Sequence, residues 1–202
     1  MTAAYPTPAG SARAEIREKG SVFLAVIAPA ADEAAAKGAL AALEREYPDA
    51  THHCWAWRVG APPRERSSDA GEPAGTAGMP ILQVLRGAGL SDAVAIVVRW
   101  FGGTKLGKGG LVRAYAAATR EALRELPVVS RVPTVQVTIE VPYERVGAVK
   151  RLLRPPEIEL ESEEYGAAAR LVLAVHEERL DALREALANL GVTILVPGSG
   201  LV

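Results

Sequence analysis

The amino-acid sequence predicts an α+β protein of two domains, residues 1–130 and 131–202. Three observations lead there. After residue 131, strictly alternating segments and segments of helical period follow one another in the order βαββαβ, that of a ferredoxin-like sandwich. Before residue 127 the two periods are mixed in a different order. Between them, Pro127 to Pro133 brackets a short extended stretch with prolines, which reads as a domain boundary. A chain of 202 residues and 21.2 kDa is long enough for two small cores.

In the N-terminal domain, Ser21 to Ala28 reads as an apolar strand, Ala31 to Tyr47 as an alanine-rich helix and His52 to Val59 as a strand. A polar, turn-rich loop runs from Gly60 to about Thr76. Ala77 to Arg86 then fits a helix, Ala93 to Trp100 an apolar strand and Leu111 to Leu126 a helix. In the C-terminal domain, Val135, Val137, Ile139 and Val141 alternate with polar neighbours on a half-buried strand. Val146, Val149 and Leu153 have helical spacing, and Pro155-Pro156 stops that helix. Glu157 to Glu161 and Arg170 to His176 form a hairpin around Gly166. Leu180, Leu183, Leu187 and Leu190 make the stripe of a second helix, Gly191 stands at its C-cap, and Val192 to Val196 is the last strand.

Composition narrows the function classes. No apolar run approaches the ~20 residues that cross a bilayer. The first ten residues lack a basic stretch followed by an apolar one, so they do not read as a secretory signal. A single cysteine, Cys54, forms no internal disulfide, and a cytoplasmic location is expected. The formal net charge of −1 conceals an uneven distribution. Residues 51–120 hold 9 basic and 4 acidic side chains, whereas 131–202 hold 8 and 11. All three tryptophans and 11 of the 19 glycines also lie between residues 51 and 120, which makes this segment the place to look for a binding surface.

Within it, Gly102-Gly-Thr-Lys-Leu-Gly107-Lys108-Gly109 follows a strand and precedes a helix. It matches a phosphate loop up to the position where a Ser or Thr hydroxyl would hold Mg²⁺, and there it has Gly109. No later apolar strand ends in the Asp that would hold the metal from the other side, so nucleotide hydrolysis is not expected. Glycine backbone N–H groups, the helix end, Lys105 and Lys108 together favour an anion; the plainer reading is a tight turn. Arg113, Arg120 and Arg124 extend the basic face along the helix, although Glu121 and Glu125 make the last two fit a solvated face. His52 and Cys54 share a strand face, but no further cluster supplies metal ligands and nothing identifies an activator for the thiol; a buried, inert Cys54 is expected. In the loop from Arg66 to Gly78, Asp69 and Glu72 fit paired carboxylates for acid/base work or metal binding, and Asp69 equally fits a turn cap; the two are left open. Thr76 is expected to cap the following helix.

Three of these stretches, Thr51-His-His-Cys-Trp-Ala56, Arg66 to Gly78 and Val98 to Tyr115, closely resemble the motifs of the IMPACT/YigZ family. The resemblance implies an N-terminal domain with the fold of a small-subunit ribosomal protein and of domain IV of elongation factor G, followed by a tail like that factor's domain V. It also implies a role in translation, through nucleic-acid or ribosome binding in bacterial members and through a protein partner in eukaryotic ones. Positions 53, 70, 100 and 108 depart from the family pattern, and the departure at Lys108 shifts weight to Lys105, Arg99 and Arg113.

The expected function is therefore that of a non-catalytic nucleic-acid- or ribosome-binding protein that regulates translation. Its anion-binding surface would comprise Arg66, Arg99, Gly102, Gly103, Lys105, Gly107, Lys108, Gly109 and Arg113, beside a polar patch of His52, Asp69, Glu72 and Thr76. No catalytic residue, metal or cofactor is assigned, and no membrane is expected. The alternative is an enzyme or sensor that binds a small phosphorylated ligand at the glycine-rich loop; a third reading is protein–protein binding through the same surface. The acidic tail is a poor RNA reader, because its two central strands carry no stacking Phe or Tyr.

Overall fold

The structure, a computed structural model, describes residues 4–195, which fall into two compact units. The first spans Tyr5–Arg131. Its elements are β1 (Tyr5–Pro8), β2 (Ala12–Glu18), β3 (Ser21–Pro29), α1 (Glu33–Glu46), β4 (His52–Val59), β5 (Arg64–Ser68), α2 (Gly78–Gly87), β6 (Ala93–Trp100), α3 (Gly107–Arg124) and β7 (Val128–Arg131).

Five strands form an antiparallel sheet in the order β2-β3-β6-β4-β5. Alternation divides its side chains between two cores. Phe23, Ala25, Cys54, Ala56, Ala95 and Val97 pack with α2 and α3, while Val26, Trp57, Ile96 and Val98 pack with α1. β6 is central and covered on both faces, which explains why Ala93 to Val98 reads as an unbroken apolar run. The hairpin between β2 and β3 turns through Lys19 (φ +47) and Gly20 (φ +83), the left-handed pair that a two-residue turn demands.

Three strands, β1, β2 and β5, are missing from the sequence reading, and β7 reads there only as an extended stretch. β5 lies inside what reads as a loop, because its Arg-Glu-Arg-Ser-Ser has no apolar face; as an edge strand it is held by ladder bonds and by Glu65, which accepts from Arg58 and Arg86. β2 forms the other edge, and the extended stretch after Pro127 is drawn into pairing with β1 as β7. Buried Asp92 (φ +53) joins these outlying pieces, accepting from the Gly60 N–H, the Tyr5 hydroxyl and Arg131. Burial, and then Asp92 itself, push the Tyr5 hydroxyl up to about 12. The two helices after residue 77 also begin elsewhere: α2 at Gly78, and α3 at Gly107, four residues before the expected Leu111.

The second unit, from Val132 onward, contains β8 (Thr134–Val141), α4 (Tyr143–Lys150), β9 (Ile158–Tyr165), β10 (Ala169–His176), α5 (Leu180–Asn189) and β11 (Ile194–Leu195). The sheet order is β11-β8-β10-β9, all antiparallel, over a core that includes Val137, Ile139, Leu171, Leu173, Leu183 and Leu187. α5 ends where Gly191 takes φ +62; its N–H bonds the Ala188 carbonyl and that of Val192 bonds Leu187, a Schellman motif. Val196, expected in the last strand, lies outside the described residues. Both central strands lack aromatic residues; the stacked, exposed pair Tyr143 and Tyr165 sits on α4 and on edge strand β9. Among the described residues no helix is long and apolar enough to cross a membrane.

Candidate functional site

The end of β6 assembles most of the polar patch. Arg99 faces the α2/α3 side of the sheet, in register with Phe23 on β3 and with His52 on β4. It is 5% exposed, and its guanidinium carbon stands 5.2 Å from the Phe23 ring centroid and 5.6 Å from that of Phe101. The arginine donates to Glu72 Oε1 at 2.5 Å and, at 3.4 Å, to Ser21 Oγ. Tyr115, fully buried on α3, donates to the same Oε1 at 2.7 Å. His52 Nδ1 donates to the Ala70 carbonyl at 2.9 Å, which leaves Nε2 facing Glu72 Oε1 at 3.9 Å.

Glu72 is thus the centre of a buried charge pair, with a phenol as its second donor. Such a pair is stable because each charge is met by the other and by further hydrogen bonds. Burial, and then the neighbouring Cys54 and Glu72, push the Tyr115 phenol well up, so it remains a donor. The Cys54 thiol donates to the Asp69 carbonyl at 3.0 Å and lies 3.3 Å from the Tyr115 hydroxyl. Burial pushes it up to about 12, with the charges of Glu72 and Asp69 acting in the same direction. A thiol held protonated in this way is no nucleophile at neutral pH.

Asp69, whose role the sequence leaves open, caps the helix in place of the expected Thr76. The Asp69 carboxylate caps α2: Oδ1 accepts from the Ala77 and Gly78 N–H groups at 2.9 and 2.8 Å, and Oδ2 from Gly75 at 2.8 Å. Thr76 does not cap. Its hydroxyl donates to the Pro73 carbonyl at 2.6 Å, closing the turn that carries the chain back. Desolvation alone would push the Asp69 carboxyl up, but the three N–H groups together hold it below the usual carboxylate range. Asp69→Ala is expected to cost about 2 kcal/mol in chemical denaturation at neutral pH. Because the folded carboxyl titrates below the unfolded one, this contribution is full above pH ~4 and is lost as pH falls through the folded value. The gap between wild type and variant should therefore close in acid; a gap independent of pH would deny Asp69 this part.

The glycine-rich stretch divides by position. At Gly102 a Cβ would lie 1.9 Å from the carbonyl carbon of Gly20, and its N–H donates to Ser21 Oγ at 3.1 Å, so this glycine lets β6 exit against the β2–β3 turn. Gly103 (φ +86) and Gly107 (φ +72) face open space, while Gly109 lies in the first turn of α3. No side chain caps that turn and no acid lies in it; it contains Lys108 instead. Beneath it is a cavity of about 390 Å³ lined by Glu72, Arg99, Phe101, Lys105, Lys108 and neighbouring apolar groups.

One expected member lies elsewhere. Arg66 on β5 is in register with Trp57 and so faces the α1 side, where it bonds Glu33 at 3.3 Å. Arg113 lines a groove of about 690 Å³ between α2 and α3, together with Arg120, while its guanidinium reaches the first turn of α3, 3.4 Å from where a Cβ at Gly109 would lie. Arg124 is held by Glu121 at 2.6 Å, as its neighbours suggested. Lys105, Lys108, Arg113 and Arg120 make no ion pair among the described residues. The sequence reading had assigned no role to Tyr115, Phe101 or Ser21. A lone tyrosine in the buried stripe of an alanine-rich helix was the available signal for the first.

The Impact N-terminal domain matches residues 19–123, and a domain of unknown function, DUF1949, matches residues 139–191. The IMPACT family member in the pol 5′ region of Thermus thermophilus is 47% identical over 153 residues, 76% of this chain and 83% of its own. The IMPACT family member YigZ of Escherichia coli K12 is 38% identical over 160 residues, 78% of each chain. A crystal structure of a hypothetical protein, 32% identical, superposes with a TM-score of 0.76 over 98% of this chain and 100% of its own. With one domain model spanning the whole cluster from Ser21 to Tyr115 and relatives this similar over most of their length, the chain belongs to the IMPACT family.

Proposed function

We propose that this protein is a non-catalytic nucleic-acid-binding protein that acts in translation, with RNA or the ribosome as its partner and the N-terminus of α3 as the contact. The observation that carries the reading is the pair Lys105 and Lys108, which among the described residues have no acidic partner and stand beside a helix end that no side chain caps. Cations and helix N–H groups so arranged suit a phosphate. The polar residues nearby favour binding over catalysis: Asp69 is occupied as a cap, Cys54 is held as a thiol, and Glu72 is bound to Arg99 and Tyr115. The order β11-β8-β10-β9 in the second unit supports a ferredoxin-like tail, and the likeness to elongation factor G domains IV and V that the motif resemblance implies would fit a ribosomal partner. The cavity beneath Lys105 favours a second reading, a sensor of a small phosphorylated ligand.

Binding of single-stranded RNA should weaken as salt rises, because each phosphate contact releases counterions. Replacing Lys105 and Lys108 together by Ala should reduce the slope of log K against log salt by roughly one to two. Titrations at several salt concentrations provide the measurement; an unchanged slope in the double variant would remove these lysines from the contact.

A further inference from the structure

We infer that the cavity beside Arg99 receives one unstacked nucleotide of the bound RNA, its base against Phe101 and Glu72 and its phosphate at Lys105, Lys108 and the first turn of α3. This rests on the nucleic-acid reading above and assigns it a specific pocket.

Four features of the cavity converge on a nucleotide. Its volume of about 390 Å³ suits a ligand of that size. Its apolar wall includes Phe101, which remains 47% exposed while its ring is backed by the Arg99 guanidinium, a platform on which a flat ring stacks. The phosphate end is supplied by α3, which carries Lys108 where a helix start ordinarily carries an acid. The fourth feature distinguishes the pocket from a bare helix end. Glu72 is 8% exposed and lines the cavity, and Arg99, Tyr115 and His52 all approach it at Oε1. Among the described residues no hydrogen bond reaches Oε2, although a carboxylate has about four acceptor sites. Arg99 Nε, in contrast, is buried without a partner.

Oε2 is open to the cavity, where it can accept from a donor on the ligand. Guanine presents N1–H and N2–H side by side on its Watson–Crick edge, with no acceptor between them. Uracil places a carbonyl on each side of its single N–H, and both would face the carboxylate. The pocket should therefore prefer guanine and disfavour uracil.

The test is fluorescence anisotropy, at constant salt, with a seven-nucleotide oligouridine and with the same strand carrying guanine at its centre. The guanine should tighten binding roughly tenfold, and Phe101→Ala should erase most of that gain. Phe101 is exposed, so the variant's thermal midpoint should stay where it is, which separates lost stacking from lost fold. Guanosine monophosphate should also raise the wild-type midpoint. If RNA binds with the expected salt dependence but the central base and Phe101→Ala make no difference, the pocket is refuted and the RNA reading stands. If RNA does not bind but the mononucleotide does, the RNA reading falls and the pocket serves a free nucleotide. If neither binds, both fall.

Discussion

Arg99→Ala is expected to destabilise the first unit by about 3–5 kcal/mol, the cost of leaving a buried charge without its partner. The substitution removes the side chain's packing against Phe23 and Phe101 and also strands Glu72, whose carboxylate is nearly buried and would retain Tyr115 as its one short hydrogen bond. The converse change, Glu72→Ala, strands the arginine between Phe23 and Phe101 and should cost a similar amount. Removing both charges together, with Arg99→Met, Glu72→Leu and Tyr115→Phe, should recover most of the loss, because two well-packed apolar groups avoid the desolvation that the pair must offset. Urea denaturation of the single and combined variants measures this. Losses that simply add would mean that the residues act separately, contrary to the geometry.

The glycine-rich stretch should respond to alanine with effects of different sign at positions only a few residues apart. Gly102→Ala sets a Cβ 1.9 Å from Gly20 C, 2.0 Å from Gly20 O and 2.3 Å from Ser21 N. All of these are backbone atoms of a turn whose left-handed dihedrals and register leave no cheap way to retreat. A loss of about 3 kcal/mol is expected. Gly103→Ala meets nothing within 4 Å but must adopt φ +86, costing about 1–2 kcal/mol. Gly109 sits inside α3 with only the flexible end of Arg113 nearby, at 3.4 Å, so alanine there should stabilise by up to about 1 kcal/mol. Thermal or urea unfolding of the three variants checks the order; equal losses at all three would return the stretch to a single loop with one purpose.

The elements most legible in the sequence were those whose periodicity has one dominant environment. β4, β6 and β8 run as read, because each alternates or stays apolar according to which faces are covered. The edge strands β2 and β5 were less legible: ladder pairing and ion pairs hold them, and neither leaves an apolar signature in β5. The start of α3 was misplaced by four residues because glycines ordinarily oppose a helix, and here the helix begins among them. For the site, the right residue types were visible and their partnerships were not. Asp69 and Glu72 are three positions apart and look like a pair, yet one caps α2 and the other is bound to Arg99 and Tyr115.

By itself the sequence determined the α+β class, the strand–helix order of the second unit, the placement of positive charge in one glycine-rich segment and the family to which the chain belongs. Each of these is written locally, in periods, in composition or in contiguous motifs. Only the tertiary structure decided which polar side chains share an environment. The order β2-β3-β6-β4-β5 brings Ser21, His52, Glu72, Arg99 and Tyr115 to one end of one sheet face and turns Arg66 to the other. The physical reason is that a charge partner is selected by distance and burial, and strands far apart along the chain become neighbours only when the sheet forms.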